Sequence, residues 1–313
     1  MDMEIINFQQ SYVKELLDCW NTSLIYDTIS EERFYELVLL DDNFDASLCR
    51  LAITEGHCIG FCYGVKRKVP YLERGLEPTR GWISIMAVKK EVQHLGIGKR
   101  LVMDVETRLR EKGAENITLC AYSPNYFTPG VDVRYSNAIH LFDQLGYQRT
   151  THSVSMQRSL WDYQMSEAVM EKKQKLEEEG IRILHYHKAY MCELLDYALD
   201  NFGAGWKRNI LIAMQKKEAQ DTILLCLNAE NEIIGFCMRK IDGNESRFGP
   251  IGVNENLRSK GIGGVLFECM MQDMRRRGLG YLYFLWTDGA AQRFYERHAV
   301  EVYREYQLYR KEF

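Results

Sequence analysis

The chain has 313 residues, of which 46% are hydrophobic and 27% are charged, and its formal net charge is −4. This length suggests about two domains, and the composition excludes collagen-like, low-complexity and disordered classes. The lack of a basic excess argues against a nucleic-acid partner. Residues 1–60 alone carry −9, which indicates either solvated helix faces or a surface that attracts a cationic substrate.

No apolar stretch reaches the roughly 18 residues of a membrane helix, and the first residues lack a signal-peptide pattern. The nine cysteines include no C-x-x-C pair, and several lie inside apolar runs such as 224–227. Thiols of this kind are typical of a reducing compartment. We therefore expect a cytoplasmic protein without a membrane partner, and the spacing of His and Cys predicts no metal site.

The first half alternates strand-like and helix-like segments. Apolar residues recur with helical or strand periodicity, and Gly113 and Gly146 follow two of the helical patterns as stop signals. The predicted elements are a strand at 3–8, helices at 12–20 and 31–40, strands at 48–54, 58–65 and 82–88, a helix at 98–112, a strand at 116–122, a helix at 137–145 and a strand at 147–158.

Residues 166–180 form a highly charged stretch between the halves. Glu171 and Lys175 have the favoured i, i+4 order, and Gly180 is a typical helix stop. The pattern predicts a solvated helix that joins two domains and stands outside their cores.

The second half repeats the order of the first. Its predicted elements are a strand at 181–185, helices at 189–201 and 208–217 around an aromatic loop at 202–206, strands at 222–228, 232–240 and 246–253, a helix at 263–277, a strand at 281–286, a helix at 290–297 and a strand at 301–310.

The repeat is also visible in the letters of the sequence. I-G-F-C occurs at 59–62 and 234–237, and G-I-G occurs at 96–98 and 261–263. The matches keep their order, which indicates an internal duplication. We predict a first domain at 1–159, a charged linker helix at 160–180 and a second domain at 181–313.

The G-I-G segment follows a predicted strand and opens a predicted helix, a setting that favours phosphate binding. Backbone N–H groups at a helix start are unpaired and attract anions, and glycine permits close approach. A Walker A motif is excluded by the residues after each second glycine. A dinucleotide fingerprint is excluded because Leu101 and Leu266 stand at the third position.

The longer spacing V-x-x-x-x-Q/R-x-x-G-x-G occurs at 88–98 and again at 253–263. It resembles the acetyl-CoA signature of the GNAT superfamily of N-acetyltransferases, and the element order around each copy is similar to that family's. The resemblance covers about 1–158 and 181–313. It implies an α/β (α+β) fold of two tandem acyl-CoA N-acyltransferase domains, each with a mixed, mostly antiparallel central sheet flanked by helices.

The resemblance implies acetyl-CoA as co-substrate and no metal. In the family, loop amides wrap the CoA pyrophosphate, and pantetheine lies along the signature strand, where an N–H can stabilise the oxyanion. The implied cofactor-binding residues are Val88, Gln93, His94, Leu95, Gly96, Ile97, Gly98 and Lys99 in the first domain, and Val253, Arg258, Ser259, Lys260, Gly261, Ile262, Gly263 and Gly264 in the second.

Family members commonly carry a tyrosine in a pattern like A-x-x-F/L-Y-x-x-x-G-F/Y, where it protonates the departing thiolate as general acid. Tyr295 falls in register in the second domain, whereas Phe142 holds that position in the first. Ala299 and Asp288 depart from the usual Gly and Asn. The alternative for Tyr295 is an aromatic core residue.

Other candidates stay open. Tyr122, Tyr126 or Tyr135 could supply an acid in the first domain, and Asp288 or Glu245 could act as a base through a water.

Three loops stand out. The segment 202–206 either lines an acceptor pocket or closes a helix pair. The segments 70–81 and 123–136 contain four of the five prolines and have no counterpart in the second half. We expect these two insertions to flank the acyl site and to give the first domain a separate role.

The sequence therefore predicts an N-acetyltransferase that moves an acetyl group from acetyl-CoA to a primary amine of a small molecule or peptide. Catalysis is expected in the second domain, with Tyr295 as general acid. The alternative is a non-catalytic acyl-CoA-binding sensor or interaction protein.

Overall fold

The computed structural model describes residues 3–258 and 260–313, and the chain divides into two compact units. Unit 1 comprises the chain up to 153 together with 305–313, and unit 2 comprises 154–304. This division differs from the predicted boundaries at 159 and 181, because the last strand of each sequence repeat contributes residues to both units.

Unit 1 follows the predicted order of strands and helices. Its elements, with the strand that continues into unit 2, are β1 (Glu4–Asn7), α1 (Val13–Ser23), α2 (Glu31–Phe34), β2 (Cys49–Thr54), β3 (His57–Val65), β4 (Arg80–Val88), α3 (Ile97–Glu111), β5 (Asn116–Leu119), β6 (Val131–Asp132), α4 (Ser136–Gln144) and β7 (Gln148–Ser159).

Unit 2 repeats this order after an additional helix. Its elements, with the strand that continues into unit 1, are α5 (Glu167–Glu178), β8 (Arg182–His185), α6 (Met191–Phe202), α7 (Ala204–Gln215), α8 (Ala219–Thr222), β9 (Ile223–Leu227), β10 (Ile233–Arg239), β11 (Phe248–Val253), α9 (Ile262–Arg276), β12 (Tyr281–Thr287), α10 (Gly289–Glu296) and β13 (Glu301–Glu312).

The sheets are mixed and mostly antiparallel, as predicted. In unit 1, β1 to β4 pair antiparallel in chain order, and β4 then pairs in parallel with β5. In unit 2, β8 to β11 pair antiparallel in chain order.

Apolar side chains cover both faces of each sheet, because helices pack on both sides. In unit 1, Leu101 and Val105 of α3 lie on one face, and Trp20 of α1 packs with Phe61 on the other. In unit 2, α9 covers one face, and α6 and α7 cover the other. Within the described part of the chain, no helix is both long and apolar enough to cross a membrane.

Several element predictions were wrong at their ends. The helix expected at 31–40 is α2 followed by a π-type turn at Tyr35–Leu39. The strand expected at 116–122 ends at Leu119, because Cys120 and Ala121 adopt positive φ angles. The loop expected at 202–206 shrinks to Gly203, whose φ of 89° reverses the chain between α6 and α7.

Helix α5 lies within the charged stretch 166–180, as the pattern predicts. Ser166 caps its start by accepting from the Val169 amide. The expectation that this helix stands outside a core was wrong, because Leu176 is 2% exposed and belongs to the core of unit 2. Leu176, together with the partly buried Val169, therefore anchors this polar helix to the unit.

The final strands of the two repeats are exchanged. Residues 310–312 of β13, the last strand of the chain, pair antiparallel with β5 of unit 1. Residues 154–159 of β7, the last strand of the first repeat, pair antiparallel with β12 of unit 2. Each unit is thus completed by a strand from the other sequence repeat.

This exchange predicts where a core mutation in β13 acts. Tyr309 is 1% exposed in the core of unit 1, and its hydroxyl donates to Asp143 Oδ1 at 2.9 Å. We expect Tyr309→Ala to destabilise unit 1 by about 3–5 kcal/mol through the cavity it leaves. Hydrogen exchange should accelerate at the amides of β5 and not at those of β12.

Val302→Ala serves as the matched control in the same strand, because Val302 is 36% exposed. It should leave exchange in β5 unchanged. Faster exchange in β12 than in β5 for Tyr309→Ala would contradict the exchanged arrangement.

Candidate functional site

The loop between the signature strand and the long helix has the same backbone conformation in both units. Gln93 and Arg258 have φ, ψ of −66°, 164° and −62°, 161°. Gly96 and Gly261, the N-cap residues of α3 and α9, have 80°, 1° and 84°, 0°. A Cβ disfavours this left-handed conformation, which is why both copies carry glycine there.

The first amides of each long helix have no hydrogen-bond acceptor among the described residues. A glycine N-cap has no side chain to accept a hydrogen bond, and the first intrahelical bonds are made by the amides of Arg100 and Val265. The three preceding amides in each helix, at 97–99 and 262–264, therefore point outward at the positive end of a 15-residue helix. Such a turn binds phosphate groups.

The signature strand of each unit parts from its parallel neighbour on the way to this loop. Among the described residues, β4 pairs with β5 only over Arg80–Ile83, so the backbone of 84–88 has no strand partner on that side. β11 meets β12 only through a single bridge between Arg247 and Tyr283 within the described residues. Within the part of the chain that the structure describes, each gap leaves a strand edge whose N–H and C=O groups are not paired with the neighbouring strand.

Tyr295 of α10 packs beside the signature strand of unit 2. Its ring centroid lies 4.4 Å from that of Phe284 and 6.2 Å from that of Phe248, and its neighbour Phe294 lies against Gly263. Its hydroxyl forms no hydrogen bond with any residue that the structure describes. Burial raises the pKa of Tyr295, so the hydroxyl stays protonated at neutral pH.

The model of the acetyltransferase (GNAT) family matches residues 8–147 and 191–299, which covers most of both repeats. The chain belongs to the GNAT family of acetyltransferases. The membership of the GNAT family that the duplicated signature predicts is therefore confirmed. None of the curated protein sequences matches this chain.

Solved structures share the GNAT fold over almost the whole chain. The glucosamine N-acetyltransferase region of a fungal multidomain β-N-acetylglucosaminidase superposes with a TM-score of 0.78 at 18% identity, covering 99% of this chain and 38% of that one. A GNAT protein of Sphaerobacter thermophilus gives 0.71 at 16%, covering 99% and 95%. A tandem GNAT protein of the clavulanic acid pathway gives 0.63 at 10%, covering 99% and 98%.

The implied cofactor-binding residues run from the last residue of each signature strand, Val88 or Val253, through the loop to the first turn of the following helix. Ser259 falls outside the described residues. Gln93 is held by the protein itself, because its side chain donates to the Val88 carbonyl at 3.0 Å and accepts from Asn137. His94 is exposed with a φ of 62°, and Leu95 is 62% exposed. The side chains of His94 and Leu95 are therefore exposed, whereas the isoleucines that open the two helices, Ile97 and Ile262, are buried in the cores.

Two of the three tyrosines considered as substitute acids in unit 1, Tyr122 and Tyr135, are engaged elsewhere. The Tyr122 hydroxyl accepts from Asn43 and donates to Asp41, and burial raises its pKa. The Tyr135 hydroxyl donates to Asp27 at 2.9 Å. Phe142 is 3% exposed and packs in the core. Unit 1 thus offers no tyrosine in the position of Tyr295.

The two base candidates in unit 2 differ in availability. Lys240 lies 2.6 Å from the Glu245 carboxylate and Arg239 also donates to it, and these bonds lower the pKa of Glu245. Asp288 is exposed at the N-cap of α10, where its side chain makes no capping bond. Glu245 is therefore committed to an ion pair, whereas Asp288 faces solvent.

The aromatic residues at the α6–α7 turn pack directly on the signature strand. Phe202 and Trp206 stack with centroids 4.4 Å apart, and both contact Phe236 edge-on. The Phe202 ring covers Gly252 so closely that a Cβ there would clash. These two rings therefore close the helix pair, and they also form a wall over the strand beside the gap.

Sequence reasoning missed a buried hydrogen-bonded group beside the loop of unit 2. Glu268 of α9 lies 2.6 Å from His298 Nδ1 and accepts from the Tyr163 hydroxyl at 2.5 Å. Burial disfavours the carboxylate, but these bonds outweigh burial and lower the pKa of Glu268. No motif marks residues so distant in sequence. Among the described residues, no group of His, Cys, Asp or Glu is arranged to bind a metal.

This group predicts an acid-dependent loss of stability. A lowered folded-state pKa means that the Glu268 carboxylate stabilises the fold above its unfolded-state pKa, and that this stabilisation is lost as pH falls through the folded-state pKa. We expect Glu268→Gln to cost about 1–3 kcal/mol near neutral pH. In chemical denaturation series at several pH values, the difference from wild type should shrink below pH 4.5.

Glu296→Gln is the matched control, because Glu296 is exposed and is bonded only to the nearby Gln292 among the described residues. It should leave the pH profile unchanged. A Glu268→Gln deficit that stays constant at every pH would argue against an ionised Glu268 in the fold.

Proposed function

We propose that the protein is an N-acetyltransferase that transfers the acetyl group of acetyl-CoA to a primary amine of a small molecule or peptide, with the chemistry in unit 2. The observation that carries this proposal is the combination, in one unit, of a loop of free amides, an unpaired strand edge and a tyrosine hydroxyl without a partner. Unit 1 has the first two features, but Phe142 stands where unit 2 has Tyr295.

The amides at 262–264 would hold the pyrophosphate, and the unpaired edge of β11 would bind the pantetheine arm. Acetyl-CoA supplies the acyl group as an activated thioester. A backbone N–H near Val253 would donate to the carbonyl oxygen as negative charge develops on it. Phe202 and Trp206 would exclude water from this part of the gap.

Tyr295 would donate its proton to the thiolate that leaves when the amine nitrogen attacks. A tyrosine with a raised pKa is fully protonated at neutral pH and is therefore in the form this step requires. The amine would lose its proton to solvent, directly or through a water near Asp288. No ion-paired carboxylate is required for this step.

The nature of the acceptor follows only from the family and its neighbours. A neighbour that carries a glucosamine N-acetyltransferase region supports testing amino sugars, together with polyamines, aminoglycosides, amino acids and peptides. We propose the cytoplasm as the location, because the nine cysteines are free and seven of them are buried.

Unit 1 would bind CoA without catalysing transfer. Its loop matches that of unit 2 in conformation, but Phe142 cannot donate a proton. The insertion 123–136 also packs Phe127 against Trp20 at 5.0 Å, on the side where α1 covers the sheet. A non-catalytic acyl-CoA-binding role therefore fits unit 1 better than unit 2.

Tyr295→Phe tests the general acid. Loss of a positioned proton donor should lower kcat by about 10²–10⁴-fold with little change in the KM for acetyl-CoA. The measurement is thiol release from acetyl-CoA in the presence of the amine panel.

Tyr186→Phe is the matched control in the same unit, because it removes a buried hydroxyl with no hydrogen-bond partner in the described structure. It should retain wild-type kcat. If Tyr295→Phe kept full activity, the role of Tyr295 would be refuted; tight CoA binding without turnover on any amine would favour the sensor.

Replacing the N-cap glycine of each loop with aspartate tests which unit catalyses acetyl transfer. Gly261→Asp places a carboxylate against the phosphate position and strains a residue at φ 84°, so it should abolish CoA binding and activity in unit 2. Gly96→Asp should remove only the CoA site of unit 1, and calorimetric stoichiometry reports both. Activity that survived Gly261→Asp but not Gly96→Asp would assign catalysis to unit 1.

A further inference from the structure

The two phosphate-binding turns differ in charge although their backbones match. In unit 1 the second glycine of the loop is followed by Lys99 and Arg100, which are both exposed on the first turn of α3. In unit 2 the equivalent residues are Gly264 and Val265. The first turn of α9 therefore carries no cation of its own.

A lysine from outside the loop occupies the space beside this turn. A Cβ built on Gly261 would lie 2.8 Å from Lys172 Cε and 3.7 Å from Lys172 Cγ. The same construction on Gly96 meets nothing within 4 Å. The Lys172 side chain, which comes from α5, thus extends along the N-cap of α9.

The position of Lys172 does not come from an ion pair. Lys172 makes none with the described residues, whereas its neighbour Lys173 pairs with Glu177 at 2.9 Å. The helix that carries it is held by burial of Leu176. Packing of α5 therefore brings the ammonium group to this turn.

The neighbouring basic group on the same face is already balanced. Gly264 is three residues after Gly261, and the space beside it is filled by the His298 imidazole. The Nδ1 atom of that ring contacts the Glu268 carboxylate. The loop before this turn also carries the exposed cations Arg258 and Lys260. Lys172 adds a further cation that has no ion-pair partner among the described residues, and cations at the positive end of a helix are unfavourable unless an anion binds there.

We propose that Lys172 is a phosphate-binding residue of the CoA site in unit 2, and that its ammonium donates to the pyrophosphate held by the amides at 262–264. This inference rests on the proposed function. Lys172 supplies the cation that Lys99 supplies in unit 1, so the helix between the two sequence repeats forms part of one cofactor site.

The test is a calorimetric titration of the full chain with CoA in a Gly96→Asp background, so that the heat reports unit 2. Lys172→Ala should weaken binding about tenfold, as expected for one charge-assisted hydrogen bond. It should also flatten the dependence of the dissociation constant on salt. Lys172→Arg should restore most of the affinity, which a merely structural role would not require.

Lys175→Ala is the matched control, because it removes one exposed positive charge from the same helix. This variant should bind CoA with the same affinity as the Gly96→Asp background chain. Dephospho-CoA, which keeps the pyrophosphate but lacks the 3′-phosphate, should show the same tenfold effect of Lys172→Ala. An effect that vanished with dephospho-CoA would overturn the pyrophosphate assignment.

The outcomes separate this inference from the proposed function. If the background chain binds no CoA, the proposed site in unit 2 fails and the role of Lys172 fails with it. If the background chain binds CoA and Lys172→Ala binds equally well, only the role of Lys172 is overturned.

Discussion

Unpaired backbone amides at the start of a long helix are the feature on which both units depend. A glycine in the left-handed conformation ends the loop and leaves the next three amides without acceptors. The signature strand must part from its neighbour just before this point, so that its own N–H and C=O groups are also free. These orphaned groups can all be satisfied by one extended ligand, which explains why loop, helix and strand occur together.

Duplication preserved this backbone and let the side chains diverge. The loop angles of the two copies agree within about 5°, whereas Phe142 and Tyr295 occupy equivalent positions with different chemistry. Backbone binding tolerates such change because it depends on φ and ψ and on glycine. Proton transfer does not tolerate such a change, because it requires a hydroxyl group at one particular position. Under the proposed function, unit 1 would keep cofactor binding although Phe142 replaces the acid.

The two units are also tied together by the chain itself. Each sheet is completed by residues from the last strand of the other repeat, 305–313 in unit 1 and 154–159 in unit 2. Helix α5, which looks like a linker in the sequence, contributes Leu176 to the core of unit 2. The repeats visible in the sequence consequently do not coincide with the compact units of the structure.

The sequence by itself determined the family, the duplication, the order of elements and the location of both loops. These features depend on local patterns, namely glycine spacing and apolar periodicity, which are read within a few residues. It also identified Phe142 as the residue that replaces Tyr295. Element ends were less certain, because positive φ angles at Cys120 and Ala121 end a strand whose apolar pattern continues.

Only the tertiary structure decided which strand completes which sheet, where α5 packs and which side chains surround the loop of unit 2. Strand exchange leaves no trace in composition, since either final strand has the apolar pattern to pair with either sheet. Lys172 of α5 and His298, which follows α10, both pack against α9, and α9 itself carries Glu268. Their proximity depends on long-range packing, and no spacing in the sequence encodes it.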